Sequence, residues 1–286
     1  MLTEAQIAEF LHNGFLNGGR ILNDDQIQEL KDELEDLLER GPDSFAEDEP
    51  KPVLFHNMAR ERDPDKCVWQ IVNIWEVCSG YKRLIFHPLI VDAISRLTDA
   101  SDLMVWHDQI QHKPAGYGGA TRWHQDAPLW PIIRPMTPVS AWVALDDALE
   151  ENGCMWMVPG SHTWGNQIEF LRTQHALDQV EDFGNIEGFT PPEQAEVKTV
   201  APRPWPVKAG EVSFHHSLTW HGSPFNRSDR PRRAIAVHYM TGESRYVASG
   251  RHVMQEFVHI EDNELMSNAG GHFPFVYRNG EPASMN

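Results

Sequence analysis

Apolar residues recur every three to four positions in the first hundred residues and then fall into shorter, alternating runs. Thr3 and Gln6 read as a capping box that opens a helix with Ile7, Phe10 and Leu11 on one face. Asn23 and Gln26 repeat that signal. Behind them Ile27, Leu30, Leu34, Leu37 and Leu38 line one side of a second helix, and Gly41-Pro42 stops it. Its acidic remainder, Glu29 to Glu49, reads as a solvated face and loop. A third helix is predicted from Pro88, where the ring suits the first helical position, burying Val91, Ile94 and Leu97. The period then changes. Leu103–Lys113, Val139–Leu145, Cys154–Val158, Glu211–His215 and Ala234–Met240 read as strands between Pro and Gly turns.

Helices followed by many strands predict a mainly β fold with flanking helices. The core would be a double-stranded β-helix, a jelly-roll or cupin-like barrel with its ligand in the mouth. Residues 178–206 are polar and hold five prolines, too long a stretch for a plain connector. The expectation is a single domain over residues 1–286. Within it a helical layer spans about 1–100, a β-helix core about 101–245 and a lid or insertion about 165–206.

Candidate chemistry centres on His124 and Asp126. Residues i and i+2 of a strand share a face, so both would reach one metal while Gln125 turns away. With 15 His and 19 Asp in the chain, about one His-x-Asp is expected by chance, so the pair means little alone. A second imidazole from a distant segment would complete a two-His, one-carboxylate triad. Such a triad holds non-haem Fe(II) and leaves coordination positions open. His215, His216 and His221 all lie in a segment that could supply it. Arg232 and Arg233 follow, and on a strand only one of them can face that metal.

Several segments carry a resemblance. They are Gln111-His-Lys-Pro114, Glu151-Asn-Gly-Cys-Met-Trp-Met-Val-Pro-Gly-Ser-His162, His221-Gly-Ser-x-x-Asn226 and Arg232-Arg-Ala234. With Phe10 and Gly14-Phe15 they resemble the phytanoyl-CoA dioxygenase family of Fe(II)/2-oxoglutarate-dependent oxygenases, from about residue 3 to 242. In that family the distal iron histidine precedes the 2-oxoglutarate arginine by eleven residues, the spacing of His221 and Arg232 here. The resemblance implies Fe(II) on His124, Asp126 and His221, and Arg232 in a charge-assisted fork with the far carboxylate of 2-oxoglutarate. It further implies cosubstrate contacts from Gln109, Gln111, Trp142 and Ser223. Met155 and Met157 read as core, and His107, His112, His162 and His238 as structural or rim residues. His107 shares a strand phase with Gln109, which allows it a substrate-facing place. The implied reaction uses O2, releases succinate and CO2, and oxidises a C–H bond. Related halogenases carry a small residue in place of Asp126, so the carboxylate implies hydroxylation or a related oxidation such as desaturation.

Composition narrows the partners. A net charge of −18 argues against nucleic acid and anionic membrane surfaces. It also disfavours a polyanionic CoA thioester unless a basic patch is present. Cys67, Cys78 and Cys154 show no zinc spacing, no apolar run reaches membrane length and no signal peptide is evident, so a cytoplasmic setting is expected. Trp123, Trp130, Trp156, Trp164 and Trp220 cluster around the motifs and suit a small apolar or cationic substrate. Two other classes stay open. One is a cupin-like metal enzyme, an isomerase or ring-cleaving dioxygenase, that uses no 2-oxoglutarate. The other is a catalytically idle binding protein.

Overall fold

The structure, a computed structural model, describes residues 2–57, 68–116, 118–136, 138–174 and 183–285. Its helices are α1 (Glu4–Asn13), α2 (Asp24–Arg40), α3 (Ser79–Ile85), α4 (Pro88–Thr98) and α5 (Ile168–Thr173). The first strands are β1 (Phe15–Arg20), β2 (Leu54–Asn57), β3 (Trp69–Val72), β4 (Leu103–Lys113), β5 (Thr121–His124), β6 (Ile133–Arg134), β7 (Val139–Ala144) and β8 (Met155–Met157). They are followed by β9 (Arg203–Trp205), β10 (Glu211–His216), β11 (His221–Ser223), β12 (Arg232–Thr241), β13 (Arg245–Tyr246), β14 (Phe275–Arg278) and β15 (Glu281–Pro282).

Both capping boxes form. The Thr3 hydroxyl accepts from Gln6 N and the Asn23 carbonyl oxygen of the side chain from Gln26 N, while each glutamine side chain accepts from the N-cap backbone. α1 stops at Gly14, whose φ of 83° is left-handed and suits glycine, and the chain turns directly into β1. α2 buries Ile27, Leu30, Leu34 and Leu37, with Leu38 at the margin. α1 buries only Phe10 fully. Leu11 is 61% exposed, so it does not share the packed face expected for it. α4 starts at Pro88 and buries Val91, Ile94 and Leu97 as the pattern predicts.

The strands make two antiparallel sheets. The larger runs β1-β10-β7-β12-β4-β14-β15, with β3 joined to β4 and β2 to β3; the smaller runs β5-β11-β8-β9. A further pair joins β13 to β6. The strand expected at 103–113 has those bounds, and the others shift by one or two residues at their ends. The chain is mainly β, in a jelly-roll arrangement. Strand alternation sends Val105, Val143, Ile235 and Val237 of the large sheet to the helical side. There they form one apolar cluster with Leu34, Ile90, Ile94 and Leu97. Each such side chain contributes about 1.5–3 kcal/mol by its burial.

The opposite face of the large sheet looks towards the small one, and the cavity lies between them. Described residues of the 165–206 stretch cover the outside of the small sheet. Phe170, Phe189, Val197 and Val200 pack against Trp164 and Trp220, and β9 extends the sheet from β8. Cys67 and residues 175–182 lie outside the described residues.

Candidate active site

β5 and β11 pair with His124 directly opposite His221, and their ring centroids are 4.1 Å apart. Asp126 reaches them by a route other than the expected one. β5 ends at His124, and Asp126 has helical dihedrals (φ −72°, ψ −52°) at the head of the short 3-10 turn Ala127–Leu129. The backbone N–H groups of Asp126 and Ala127 both donate to the Ser217 carbonyl, which pins that turn. Gln125 does turn away. Its amide donates to the carbonyls of Gly165 and Leu218 and accepts from Gln167 N. The His-x-Asp spacing thus works through a turn and not through the pleat of a strand.

His124 Nε2 and His221 Nε2 each lie 3.5 Å from Asp126 Oδ1. One ligand atom from each of the three residues lies within 4.8 Å of the others. The other ring nitrogens decide the tautomers. His124 Nδ1 is 2.7 Å from the Arg122 carbonyl oxygen, and His221 Nδ1 is 2.9 Å from that of Thr219. A carbonyl only accepts, so each Nδ1 carries the hydrogen and each Nε2 presents a lone pair. Two lone pairs and a carboxylate oxygen therefore face one another, an arrangement that calls for a cation between them. The donor set, two imidazoles and one carboxylate, fits Fe(II).

Asp126 uses its two oxygens differently. Oδ2 accepts from His215 Nε2 at 3.1 Å and from Ser140 Oγ at 3.3 Å, which leaves Oδ1 for the metal position. Burial opposes ionisation of Asp126, but positive charge placed among His221, His124 and His215 outweighs it and holds the carboxyl well below the ordinary carboxylate range; with both ligand imidazoles neutral, a cation at the metal position is what supplies that charge. His215 therefore braces a ligand. His216 points to the other side of β10, where its Nδ1 accepts from Leu218 N and its ring lies against His162.

Arg232 and Arg233 part company as strand alternation requires. Arg233 points outward and pairs with Asp146 and Glu35. Arg232 points into the cavity and is 2% exposed, with Cζ 5.5 Å from the centre of the Trp142 ring and Nη1 3.5 Å from the Gln111 carbonyl. Its Nε has no partner, and among the described residues no carboxylate pairs with it. Burial pulls the guanidinium down to about 10. Gln109 and Gln111 line the same cavity; their partners on β12 are Ala236, which also lines it, and Ala234. Trp142 and Ser223 line it too, as does Met155, which was expected only in the core.

The cavity holds about 390 Å³, and Trp130 and the exposed Leu129 are among the residues that line it. Of the five tryptophans near the motifs, only Trp130 lines it. Trp123, Trp156, Trp164 and Trp220 pack into the cluster behind the small sheet, so the expected aromatic wall is mostly structural. Sequence reading missed Lys113, buried at the Arg232 end with its ammonium on the carbonyls of Gly119 and Ser223. The available signal was its strand phase, shared with Gln109 and Gln111. His215 and Ser140 carried no such signal, because their roles depend on which strands pair.

The phytanoyl-CoA dioxygenase family model matches residues 10–234. The chain belongs to this family. Phytanoyl-CoA dioxygenase domain-containing protein 1 of Danio rerio is 32% identical over 167 residues, covering 57% of this chain and 54% of the relative. The match therefore spans about half of that relative's length. Methylphosphonate hydroxylase of Gimesia maris is 25% identical over 287 residues, covering 99% of this chain and 97% of that protein. The crystal structure of a non-haem α-ketoglutarate-dependent carbocyclase from nogalamycin biosynthesis superposes with a TM-score of 0.71. It covers 96% of each chain at 24% identity, so the two share a fold. Fe(II), 2-oxoglutarate and O2 are the cofactors of this family of oxygenases, and no described helix is long and apolar enough to cross a membrane.

Proposed function

We propose that this family member is an Fe(II)- and 2-oxoglutarate-dependent dioxygenase that hydroxylates, or otherwise oxidises, a C–H bond of a small molecule. The observation that carries this reading is Arg232, a buried guanidinium without an acidic partner among the described residues, in the same cavity as the triad. A bare metal enzyme of the same fold has no use for such a charge. A dicarboxylate cosubstrate does, because a carboxylate meets a guanidinium in a two-point fork.

In this reading His124, Asp126 and His221 hold the metal. Arg232 receives the distal carboxylate of 2-oxoglutarate, with Gln109, Gln111, Trp142 and Ser223 forming the bed of the cosubstrate. Bound iron supplies the redox centre at which O2, 2-oxoglutarate and R–H become R–OH, succinate and CO2. The chain's own groups prepare that centre. The Arg122 and Thr219 carbonyls hold the two imidazoles in one tautomer, and His215 and Ser140 hold Asp126 with one oxygen free. Asp126 also fills the coordination position that a smaller side chain would leave to a halide. Residues 1–286 act as a single catalytic unit, with the helical layer to about residue 100, the barrel to about 245 and the 165–206 stretch as an insertion. Cys78 and Cys154 are buried free thiols, which suits a reducing, cytoplasmic setting.

The test is a panel of small metabolites incubated with protein, Fe(II), ascorbate and 2-oxoglutarate, with succinate measured. Succinate release that depends on one substrate and on both cofactors is expected. A metal-dependent conversion that proceeds equally without 2-oxoglutarate would remove the reading.

A further inference from the structure

At the triad level, one row of side chains crosses four neighbouring strands of the large sheet. The register pairs His215 with Ser140, Ser140 with His238, and His238 with His107. All four are buried, and His107, His215 and His238 line the cavity. Three of them are committed around Asp126. Ser140 Oγ lies 2.6 Å from His238 Nδ1 and 3.3 Å from Asp126 Oδ2, and His215 holds that same oxygen. His107 is not committed. It is 2% exposed and is one of the residues lining the cavity, yet among the described residues its Nε2 has no hydrogen-bond partner. Buried polar atoms are almost always satisfied, so an unmet one on a residue that lines a cavity calls for a partner that an occupant of that cavity can supply.

The other ring nitrogen decides what that ligand must bring. His107 Nδ1 lies 3.3 Å from the Asp108 carbonyl oxygen. That oxygen cannot donate, so Nδ1 carries the hydrogen and Nε2 carries the lone pair. Burial, helped by His238 and His252, keeps the imidazole well below its ordinary pKa, and so neutral. The walls are aromatic and apolar. Trp130 meets His107 edge-on at 5.7 Å, His252 stacks on it at 5.4 Å, and the cavity-lining Val72 and Val253 belong to the same apolar cluster as Trp130. Charged side chains lining the cavity, among the described residues, are Lys113, Asp126 and Arg232. Lys113 and Arg232 sit together at the cosubstrate end, and Asp126 belongs to the triad. Among the described residues, no charged side chain is left over for an ionic substrate. His252 and Val253 lie beyond residue 234, so this end is partly built by a segment outside the stretch the family model matches.

We infer that His107 Nε2 is the anchoring acceptor of a substrate subsite, and that the substrate is an uncharged molecule with an apolar or aromatic body bearing an O–H or N–H donor. The identity of the occupant as substrate rests on the oxygenase reading; its binding does not.

The test uses the full chain and two measurements. Long-range 1H–15N NMR of the imidazoles, with His107 assigned by its loss in His107→Leu, reports which nitrogen is protonated; Nε2 is expected bare at pH 7. Matched pairs of probes are then titrated: phenol and anisole, indole and 1-methylindole, cyclohexanol and methoxycyclohexane. Binding is followed by tryptophan fluorescence and by the His107 Nε2 resonance. The hydrogen-bond donor of each pair should bind about five- to tenfold tighter, as one neutral hydrogen bond provides. The preference should vanish in His107→Leu. A protonated Nε2, equal affinity within pairs, or a panel that leaves the His107 resonance unmoved would each overturn the inference. If His107→Leu fails to fold, His107→Gln supplies the assignment, and equal affinity within the matched pairs in the parent protein still overturns the inference. If the oxygenase reading failed instead, donor preference would persist while no succinate formed.

Discussion

Replacing Arg232 by alanine separates cosubstrate binding from metal binding. Burial lowers the guanidinium from 12.5 to about 10, a change of about 2.5 units. At about 1.4 kcal/mol per unit, the charged side chain carries about 3.5 kcal/mol of uncompensated desolvation. A carboxylate that enters the cavity relieves that cost, and truncating one partner of a buried charge pair costs about 2–5 kcal/mol of binding. Arg232→Ala should therefore weaken 2-oxoglutarate by about 30-fold or more. It should leave Fe(II) affinity intact and lower the stability of the cosubstrate-free protein little, because the lost charge had no acidic partner. Arg232→Lys should recover only a small part, since an ammonium cannot make the two-point fork. Arg233→Ala should leave 2-oxoglutarate affinity unchanged, because its guanidinium pairs with Asp146 and Glu35 on the outer face. Anaerobic titration of 2-oxoglutarate into the Fe(II) protein, followed by the metal-to-ligand absorption band, reads cosubstrate affinity, and a separate Fe(II) titration reads the metal. Unchanged 2-oxoglutarate affinity in Arg232→Ala, or no band in the parent, would refute the reasoning.

His124→Ala, Asp126→Ala and His221→Ala should each abolish tight Fe(II) binding in equilibrium dialysis, while His216→Ala keeps it; the reverse pattern for residues 216 and 221 would reassign the ligand. Ser140→Ala, which frees one hold on Asp126 Oδ2, should weaken iron about tenfold or more without abolishing it. Asp108 is fully buried and is raised from 3.8 to about 7, chiefly by burial, against the N–H groups of Ile74 and Trp75 that it caps. Its folded form thus prefers the proton. The associated stability is complete below about pH 4 and is lost as pH rises through about 7, by at most about 4 kcal/mol. In urea melts at pH 4 to 8, the parent should lose stability relative to Asp108→Asn as pH rises, and a pH-independent difference between the two would refute the shift. Leu34→Ala removes a fully buried side chain from the helical layer and should cost about 2–5 kcal/mol in the same melts.

Local chemistry was legible wherever a signal sat within a few residues. The two capping boxes, the start of α4 at Pro88 and the bounds of β4 all follow from nearest-neighbour physics, and each is found where the pattern puts it. The opposed fates of Arg232 and Arg233 follow from strand alternation alone. α3 escaped notice because it is seven residues long, contains Gly80 and has Cys78 at its N-cap with no side-chain capping bond. Leu11 misled because a helix period shows that one side is apolar, not how much of that side is covered. Asp126 has the right neighbours through a turn that the Ser217 carbonyl holds, and Ser217 is ninety-one positions away. The row from His215 to His107 is a property of register, since its members come from four strands whose neighbours no local window reveals.

The inward-facing lone pairs of His124 and His221 have a consequence for which ion the protein carries. Their tautomers are set by backbone carbonyls and not by the identity of the metal. The triad is a receptor for a charge and a size, and its nitrogen-rich donor set follows the general order in which Ni(II), Cu(II) and Zn(II) bind more tightly than Fe(II). Nothing in the triad reverses that order. Iron occupancy is therefore decided by which free ion the surroundings offer, and a protein purified over a nickel resin or stored with trace zinc should fill with the wrong metal. Each tenfold excess of such an ion above its dissociation constant adds about 1.4 kcal/mol of apparent stability. The best-folded preparation of this protein can thus be its least active one.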